Sequence, residues 1–385
     1  MHIDISAIII LMGIIQGYFL AFILFSNRNG NYQANRYLGL LLCSFSTSIV
    51  NIFLLKINLY KVLLYTSKMS VIILYFFGPL LLFYVHSLVD QTFRLRYPDW
   101  LHFLPALMVF AYYTPYYLAE GPDKYAFFLI PAGIKFFRYA HYEFFVLSIS
   151  AQIHLWIYLL VVHRFVKQYH RSIKDFYSNI EQHNLRWIQF FLSCFEVVYI
   201  IIFFLCIVLL VVNYMVSFIL VGITVSIGIF ILGYRGLKQT EIFTLESSLK
   251  KTKYESSELP RKLVQSLIVK LKILMEEDKL FTITELNLDD LAKKLSVSKI
   301  ILSQFIRDYL KTNFFDYINR LRVEEMKRLL LDPEKQYMTI VALANEAGFN
   351  AKSTSSRIFK QFTGMTPSAF RKDNCCKDKR DSVSF

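Results

Sequence analysis

The sequence predicts an all-α protein: a seven-helix transmembrane bundle followed by a soluble helical domain. Two observations predict this class. Of the 385 residues, 55% are hydrophobic and only 19% are charged, whereas a typical globular domain has about 25% charged residues. The apolar excess is also uneven: residues 1–234 carry 15 Lys and Arg against 9 Asp and Glu, and residues 235–385 carry 28 against 20. A charge-poor membrane part is therefore followed by a basic, soluble part.

Seven apolar runs fill the first part. A transmembrane helix needs about 20 apolar residues to cross a hydrocarbon core of about 30 Å. The run from Phe190 to Tyr234 would form a helix of about 67 Å at 1.5 Å per residue, so it must fold back, with the turn best placed at Asn213-Tyr214. The expected spans are 5–25, 38–55, 69–89, 101–119, 144–162, 190–212 and 214–234.

The basic residues of the loops predict the orientation. Loops kept in the cytoplasm are enriched in Lys and Arg. With the N-terminus outside, the inner loops hold nine such residues and the outer loops hold five. The segment Met1–Ile5 has no Lys or Arg, and no small-residue cleavage site follows, so it is interpreted as the start of the first span and not as a signal peptide. We expect a multi-pass protein of the inner (cytoplasmic) membrane with its C-terminal domain in the cytoplasm.

Polar residues within the expected spans are candidates for sensing a signal. Glu196 lies in the sixth span, and Gln152 and His154 lie in the fifth. A carboxylate in lipid is costly unless it is paired, and it often marks a ligand or ion path. Glu196 is also close enough to the inner end of its span to reach the interface or to bond a neighbouring helix, and that alternative stays open.

The second part divides into a linker at 235–262, a helical domain at 263–374 and a polar tail at 375–385. A helix that starts near Pro260 could couple the membrane part to the cytosol, mediate dimerisation, or simply begin the next domain. Neither a metal-ligand cluster of His and Cys nor a Gly-rich phosphate loop is visible, and Cys375 and Cys376 have no further ligands at suitable spacing. We therefore expect no metal, no cofactor and no catalysis.

Residues 287–309 show a helix-turn-helix pattern. Asn287 is a good N-cap with Asp290 three residues later, and Leu288, Leu291, Ala292 and Leu295 form one apolar face. A turn at 296–298 precedes a second helix with Leu302, Phe305 and Ile306 inward. That second helix could lie in the major groove of DNA. Its outward residues would be Ser298, Lys299, Ile300, Ser303, Gln304 and Arg307.

The pattern returns about fifty residues later. Leu343, Ala344 and Ala347 repeat the first apolar face, and Gly348 lies where a left-handed turn residue is needed. One long helix from Phe315 to Leu331, ended by Asp332-Pro333, separates the two copies. Two helix-turn-helix units on such a spacer would address successive major-groove faces of one duplex. The outward residues of the second copy are Lys352, Ser353, Ser356, Arg357 and Lys360.

Over roughly residues 270–372 this order of motifs resembles the AraC/XylS family of bacterial transcription regulators. The resemblance is carried by LDDLAKKLSVSKIILSQF, FFDYINRLRVEEMKRLL and ANEAGFNAKSTSSRIFKQFTGMTPSAFR. It implies sequence-specific binding of double-stranded DNA and control of transcription, with RNA polymerase as a partner and a homodimer as an option. It further implies that Ile300 and Gln304 face bases in the first unit, and Lys352 or Ser353 together with Arg357 in the second. The membrane part is similar, more loosely, to the multi-span sensor regions of some such regulators.

One residue departs from the family pattern. Ser355 stands where members of the family usually have an aromatic or aliphatic residue. A buried hydroxyl there needs a hydrogen-bond partner. We expect that the second unit is less stable or orders only on DNA, so that the first unit contributes more of the affinity.

These patterns favour a membrane-anchored, sequence-specific DNA-binding transcription regulator whose transmembrane part senses an unknown signal ligand. The alternative is a multi-span transporter or channel with an accessory DNA-binding-like module. That alternative predicts several paired intramembrane charges or broken helices, and residues 1–234 contain few ionisable residues inside the expected spans.

Overall fold

The computed structural model confirms that the chain is helical throughout the residues it describes. These are residues 4–27, 31–90, 92–118, 134–180, 186–209, 214–237 and 259–373. Within these ranges the β-type pairing is a single isolated bridge between Tyr177 and Asn287. The expected turn at Asn213, nearly all of the linker and the tail at 375–385 lie outside the described residues.

The N-terminal part consists of apolar helices joined by short connections. Asp4 caps the first helix by accepting a hydrogen bond from the Ala7 amide at 3.0 Å, and Asn31 caps the second in the same way at Ala34. The helices are α1 (Ile5–Ser26), α2 (Tyr32–Lys56), α3 (Tyr60–Leu74), α4 (Phe77–Val89), α5 (Leu104–Leu118), α6 (Ile134–Ile173), α7 (Arg186–Leu209) and α8 (Tyr214–Leu237).

Five of the described helical stretches are long and apolar enough to cross a membrane. They are Ile5–Ser26, Tyr32–Lys56, Lys68–Val89, Val146–Ile173 and Ile188–Leu205. A sixth apolar stretch within α8, Phe218–Ile231, is shorter. These stretches fall on six of the seven expected spans.

The remaining expected span, the fourth at 101–119, is not one α-helix over its described residues. A 3-10 turn occupies Tyr97–Phe103, and α5 follows with only 15 residues. The prolines explain this local structure: Pro98 starts the 3-10 turn, and Pro115 cannot donate a hydrogen bond inside α5. The 15 described residues of α5 are fewer than the about 20 that a span needs, and the chain after Leu118 lies outside the described residues.

The expected span 69–89 is interrupted one turn before its proline. Tyr75 and Phe76 form a turn between α3 and α4, with their amides bonded to Ile72 and Ile73 at 3.2 and 3.0 Å. Pro79 then lies in the first turn of α4, where an N–H has no partner within the helix. Pro79 after Gly78 predicts a kink in this span from the sequence alone, and the structure has the break one turn earlier, at Tyr75-Phe76.

Small residues bring α1 close to its neighbours. The first helix packs against α2 and α8, and α2 packs against α4. A Cβ atom at Gly17 of α1 would overlap the Ser46 hydroxyl of α2. Small residues at such crossings let two backbones approach, which is how apolar helices gain contact where no water is expelled.

The C-terminal part packs around a separate apolar core. Its helices are α9 (Arg261–Glu276), α10 (Leu288–Leu295), α11 (Lys299–Asp308), α12 (Phe314–Leu331), α13 (Ile340–Glu346) and α14 (Lys352–Thr363), and residues 367–373 are also helical. Pro260 is the N-cap of α9. Leu291, Phe305 and Ile318, from α10, α11 and α12, are fully buried together.

The fold contains two compact units. The first comprises residues 1–167 and 185–247, and the second comprises 168–184 and 248–385. The second unit therefore takes in a segment that the sequence assigned to the membrane part, namely the connection between α6 and α7. Helix α6 runs without interruption to Ile173, so it passes from one unit into the other.

Gly348, between α13 and α14, gives a prediction about the stability of these two helices. Its φ is +95°, and a Cβ there would lie 2.7 Å from Thr282 Cα, whereas Gly364 (φ +82°) has no atom within 4 Å of such a Cβ. Gly364→Ala should cost about 1–2 kcal/mol of backbone strain, and Gly348→Ala about 1–3 kcal/mol more for the overlap. Amide hydrogen exchange in α13 and α14 of the full chain measures both values. Equal losses for the two variants would contradict the packing at Gly348.

Candidate nucleic-acid interface

Helices α10 and α11 form the first helix pair. Asn287 caps α10: its Oδ1 accepts from the Asp290 amide at 2.9 Å, and its Nδ2 donates to the Asp290 carboxylate at 2.7 Å. Ser296 ends the helix in a left-handed conformation with φ +57°. Ser298 then caps α11 by accepting a hydrogen bond from the Ile301 amide at 3.3 Å. The Asn287 cap confirms the prediction from sequence, whereas Ser298 was predicted only as an outward residue and its role as a cap was not.

The outward face of α11 is accessible along its length. Leu302, Phe305 and Ile306 are buried, as expected from the sequence. The six candidate DNA-contacting residues of this helix are exposed or half-buried: Ser298, Lys299, Ile300, Ser303, Gln304 and Arg307. Ile300 is an aliphatic side chain with 37% exposure, which makes it available for an apolar contact such as a thymine methyl group.

Helices α13 and α14 form the second helix pair. Thr339 caps α13 by accepting from the Ala342 amide at 3.2 Å, and Gly348 provides the left-handed turn residue that the sequence indicated. Ala347 and Phe349 at the turn are buried, as are Leu343, Ala344, Ile358 and Phe359 on the helices. From the sequence Ile358, Phe359 and Phe362 are all candidates for the core of this pair, and Phe362 differs from the other two in being only half-buried.

The outward face of α14 is strongly basic. Lys352, Ser353, Arg357 and Lys360 are exposed and Ser356 is half-buried. The helix contains three basic and no acidic residues, and it begins at Lys352 without a side-chain cap. A cation at a helix N-terminus opposes the helix dipole, and an anion bound there would be attracted by both the lysine and the free amides.

The departure at Ser355 is accommodated locally. The residue is 1% exposed, and its hydroxyl donates to the Lys352 carbonyl at 3.0 Å. The hydrogen-bond partner that a buried hydroxyl requires is therefore supplied by the preceding turn of its own helix. The apolar contact of a larger side chain is still missing, so the lower stability expected for the second pair stays a prediction.

The positive charge of Arg307 on α11 is partly compensated by carboxylates of the same compact unit, which comprises residues 168–184 and 248–385. Arg307 Nε lies 3.2 Å from the Asp308 carboxylate. Burial raises the pKa of Asp175, in the segment between α6 and α7, and the charge of Arg307 counteracts this rise in part. Arg307 therefore has two carboxylates as neighbours. Arg357 has no carboxylate on its own helix, because α14 contains no Asp or Glu.

Two arginines that the sequence did not single out for structural roles organise the backbone around the helix pairs. Arg322 of α12 is 2% exposed and donates to the carbonyls of Phe281 and Ile283 at 2.7 and 2.8 Å. Burial lowers its pKa to about 10, so it stays charged at neutral pH. Arg371 holds the turn before α13 by donating to the carbonyls of Met338 and Lys335 at 2.9 and 3.2 Å.

The three intramembrane candidates do not come together at one place. The Glu196 carboxylate of α7 lies 3.3 Å from His163 Nδ1 of α6. This contact agrees with the alternative that Glu196 bonds a neighbouring helix. The ring of His154 packs against Tyr158 at 4.8 Å and Tyr75 at 5.6 Å. Gln152 is 5% exposed.

A separate apolar pocket of about 280 Å³ lies near Cys194 and Gly228.

Comparison with known proteins assigns the region of the two helix pairs. The sequence model of the helix-turn-helix domain family matches residues 291–373. The Msm operon regulatory protein of Streptococcus mutans is 31% identical over 90 residues, which are 23% of this chain and 31% of that protein. The chain thus spans about a third of the curated relative that it matches.

One solved structure is similar over the same length of chain. It is a protein of unknown function from Listeria innocua, with 26% identity and a TM-score of 0.24, and the match covers 26% of this chain and 93% of that one. The family match, at residues 291–373, falls on the AraC-type motifs quoted above, and the named relative is an operon regulator. The C-terminal part of this chain is therefore a helix-turn-helix domain of the AraC type.

Proposed function

We propose that the chain is a membrane-anchored, sequence-specific DNA-binding transcription regulator. The helix-turn-helix domain makes DNA binding the expected activity of the C-terminal part. The observation that carries the proposal is that every candidate residue on α11 and α14 is solvent-accessible, while the apolar residues between them are buried. Both helices are thus free to enter a groove without unfolding the domain.

In this proposal each helix pair is a complete helix-turn-helix unit, and α12 is the spacer. Phosphate contacts by basic residues give affinity that depends on salt, whereas contacts to base edges give specificity. Lys299, Lys352 and Lys360 suit phosphates. Ile300 and Gln304 lie one turn apart on α11 and suit bases, because an aliphatic group meets the thymine methyl and an amide can pair with adenine.

The apolar N-terminal helices support anchoring in the bilayer. Five stretches meet the length and hydropathy of a span, and the seven-span topology with the N-terminus outside places the basic domain beside cytoplasmic DNA. The proposed domains are a sensor-like membrane part at 1–234, a linker at 235–262 and a DNA-binding domain at 263–374. Glu196, His154 and Gln152 remain the candidates for sensing, and RNA polymerase and a second copy of the chain are the proposed protein partners.

DNA reading is tested first with the full chain in lipid nanodiscs and a random duplex library. Selection should enrich a sequence with two half-sites one helical turn apart, because two units on one spacer address successive major-groove faces. Enrichment of no sequence would defeat the proposal. Genome-wide capture of DNA crosslinked to the full chain in its own cell should recover the same sequence.

Arg357→Ala should weaken binding to the selected duplex by about 1–3 kcal/mol if it reads a base. In that case the preference at one position also relaxes. If Arg357 instead contacts phosphate, binding to all sequences falls alike and the salt dependence flattens. Lys272→Ala on α9, where the side chain is 67% exposed and pairs with Glu276, is the control and should change neither quantity.

Ile300→Ala and Gln304→Ala should change which sequence is preferred with little change in stability, because both side chains lie on the accessible face of α11. Loss of one good base contact costs about 1–3 kcal/mol of discrimination. A competition assay between the selected duplex and single-base variants measures this. Leu302→Ala is the contrasting variant: Leu302 is fully buried, so it should lower stability instead.

The orientation is tested with reporters fused after Phe385. A fusion to a protein that fluoresces only in the cytoplasm should be active, and a fusion to an enzyme active only outside the inner membrane should be silent. The reverse result would place the domain away from DNA and would contradict the proposed function. The same pair of reporters after Ser26, between the first two helices, controls for expression because that loop is also expected inside.

A further inference from the structure

The connection between α6 and α7 is built into the DNA-binding unit. Residues 168–184 group with the C-terminal unit, although the helices on either side belong mainly to the first unit. Ser178, Asn179 and Ile180 are buried, at 1%, 8% and 5% exposure, and Phe176 packs against the core of α9 to α12. We call residues 174–180 the inter-span segment.

The backbone of the inter-span segment completes the starts of two helices. The Leu288 amide, in the first turn of α10, donates to the Phe176 carbonyl at 2.9 Å. The Phe315 amide, in the first turn of α12, donates to the Lys174 carbonyl at the same distance. First-turn amides have no acceptor within their own helix. The segment therefore satisfies groups that would otherwise need water or another cap.

Ser178 is the contact between the inter-span segment and α12. Its carbonyl accepts from Asn319 Nδ2 at 3.0 Å, and its hydroxyl accepts from Arg322 Nη2 at 3.1 Å. The same guanidinium donates to the carbonyls of Phe281, Ile283 and Thr284. Arg322 thus joins the segment to the stretch 281–284 in one buried network, and such networks resist partial loss because each broken bond leaves a buried polar group.

The stretch 281–285 in turn touches the second helix pair. Gly348 lies against Phe281 and Thr282, as the overlap of an added Cβ shows. The Glu285 carboxylate accepts from Asn179 of the inter-span segment at 3.2 Å and from Asn350 of the α13–α14 turn at 3.4 Å. The stretch 281–285, which leads into α10, therefore contacts both the inter-span segment and the α13–α14 turn, and we call it the junction.

We propose that the inter-span segment binds the junction and thereby fixes the position of the second helix pair relative to the first. A shift of α6 and α7 would then change DNA binding. The inference rests on the proposed function and adds its route of control. The segment follows α6 directly along the chain, so a movement of that helix pulls on Lys174 to Ser178. Loss of the Ser178 and Asn179 side-chain contacts loosens the junction, whereas the packing of Phe176 and the backbone bonds to Leu288 and Phe315 stay in place.

The test uses the full chain in nanodiscs and the selected duplex, with one or both half-sites. Ser178→Ala combined with Asn179→Ala removes only side chains of the segment. Affinity for the two-half-site duplex should fall about tenfold, which is about 1.4 kcal/mol, and the preferred half-site spacing should broaden. Affinity for a single half-site should be unchanged. Gln168→Ala, at an exposed position in α6, is the control and should leave all values as they are.

A disulfide gives a second, independent measurement. Tyr177 and Asn287 form an antiparallel bridge without mutual hydrogen bonds, and such pairs have Cα atoms about 4.5 Å apart, which suits a disulfide. Tyr177→Cys with Asn287→Cys, in a chain whose native cysteines are replaced, should crosslink in membranes. When oxidised, this chain should keep the narrow spacing preference even with Ser178→Ala and Asn179→Ala present, and reduction should broaden it.

The outcomes separate the two proposals. If the unmodified chain selects no sequence, the proposed function fails. If it selects two half-sites but the double variant keeps the same affinity and spacing, the inference fails alone. Failure of the cysteine pair to crosslink would show that the segment is not docked and would also overturn the inference. A double variant that does not fold is recognised by lost binding to the single half-site, and the crosslink then decides.

Discussion

The Arg322 guanidinium is the interaction on which the DNA-binding unit depends most. Its three nitrogens make five hydrogen bonds, three to the carbonyls of Phe281, Ile283 and Thr284 and two to the carbonyl and hydroxyl of Ser178. No other side chain could serve there equally well, because a planar fork reaches several carbonyls at once whereas a lysine is a single point charge. The cost of burying the charge is visible in its lowered pKa. That cost is offset only while every acceptor stays in place, so three separate stretches of chain are held together.

This arrangement explains how the two helix pairs can be held in one fixed relation, as the proposed binding of DNA requires. Each pair has its own turn and its own caps at Asn287, Ser298 and Thr339. The two pairs are connected by α12 and by the stretch 281–284, which Gly348 approaches closely at Phe281 and Thr282. A rigid relation between two recognition helices matters physically because successive major grooves recur at a fixed rise along the duplex.

The helices of the first unit follow different physics. In the bilayer proposed for them, their association would gain little from expelling water, and it would rely on close contacts of small residues, aromatic packing and a few hydrogen bonds. Gly17 against Ser46, and Tyr158 bonded to His102 at 2.6 Å, are examples. The contact of His163 with Glu196 gives the acidic residue of α7 a neighbour on α6, which is the helix that continues into the second unit.

The sequence by itself predicted the helices of the C-terminal part, the cap at Asn287 and the outward faces of α11 and α14, because these follow from local hydrogen bonding and from a 3.6-residue period. Gly348 and the break near Pro79 belong to the same class of local signal, and so does the Thr339 cap, which was not predicted. The role of Arg322 was decided by the tertiary structure. The sequence indicated only that Arg322 lies on the same face of α12 as the apolar residues Ile318 and Met326. It also decided that residues 168–184 join the DNA-binding unit. Pairing between Ser178 and Leu286 spans more than one hundred residues, and no periodicity along the chain encodes contacts of that range.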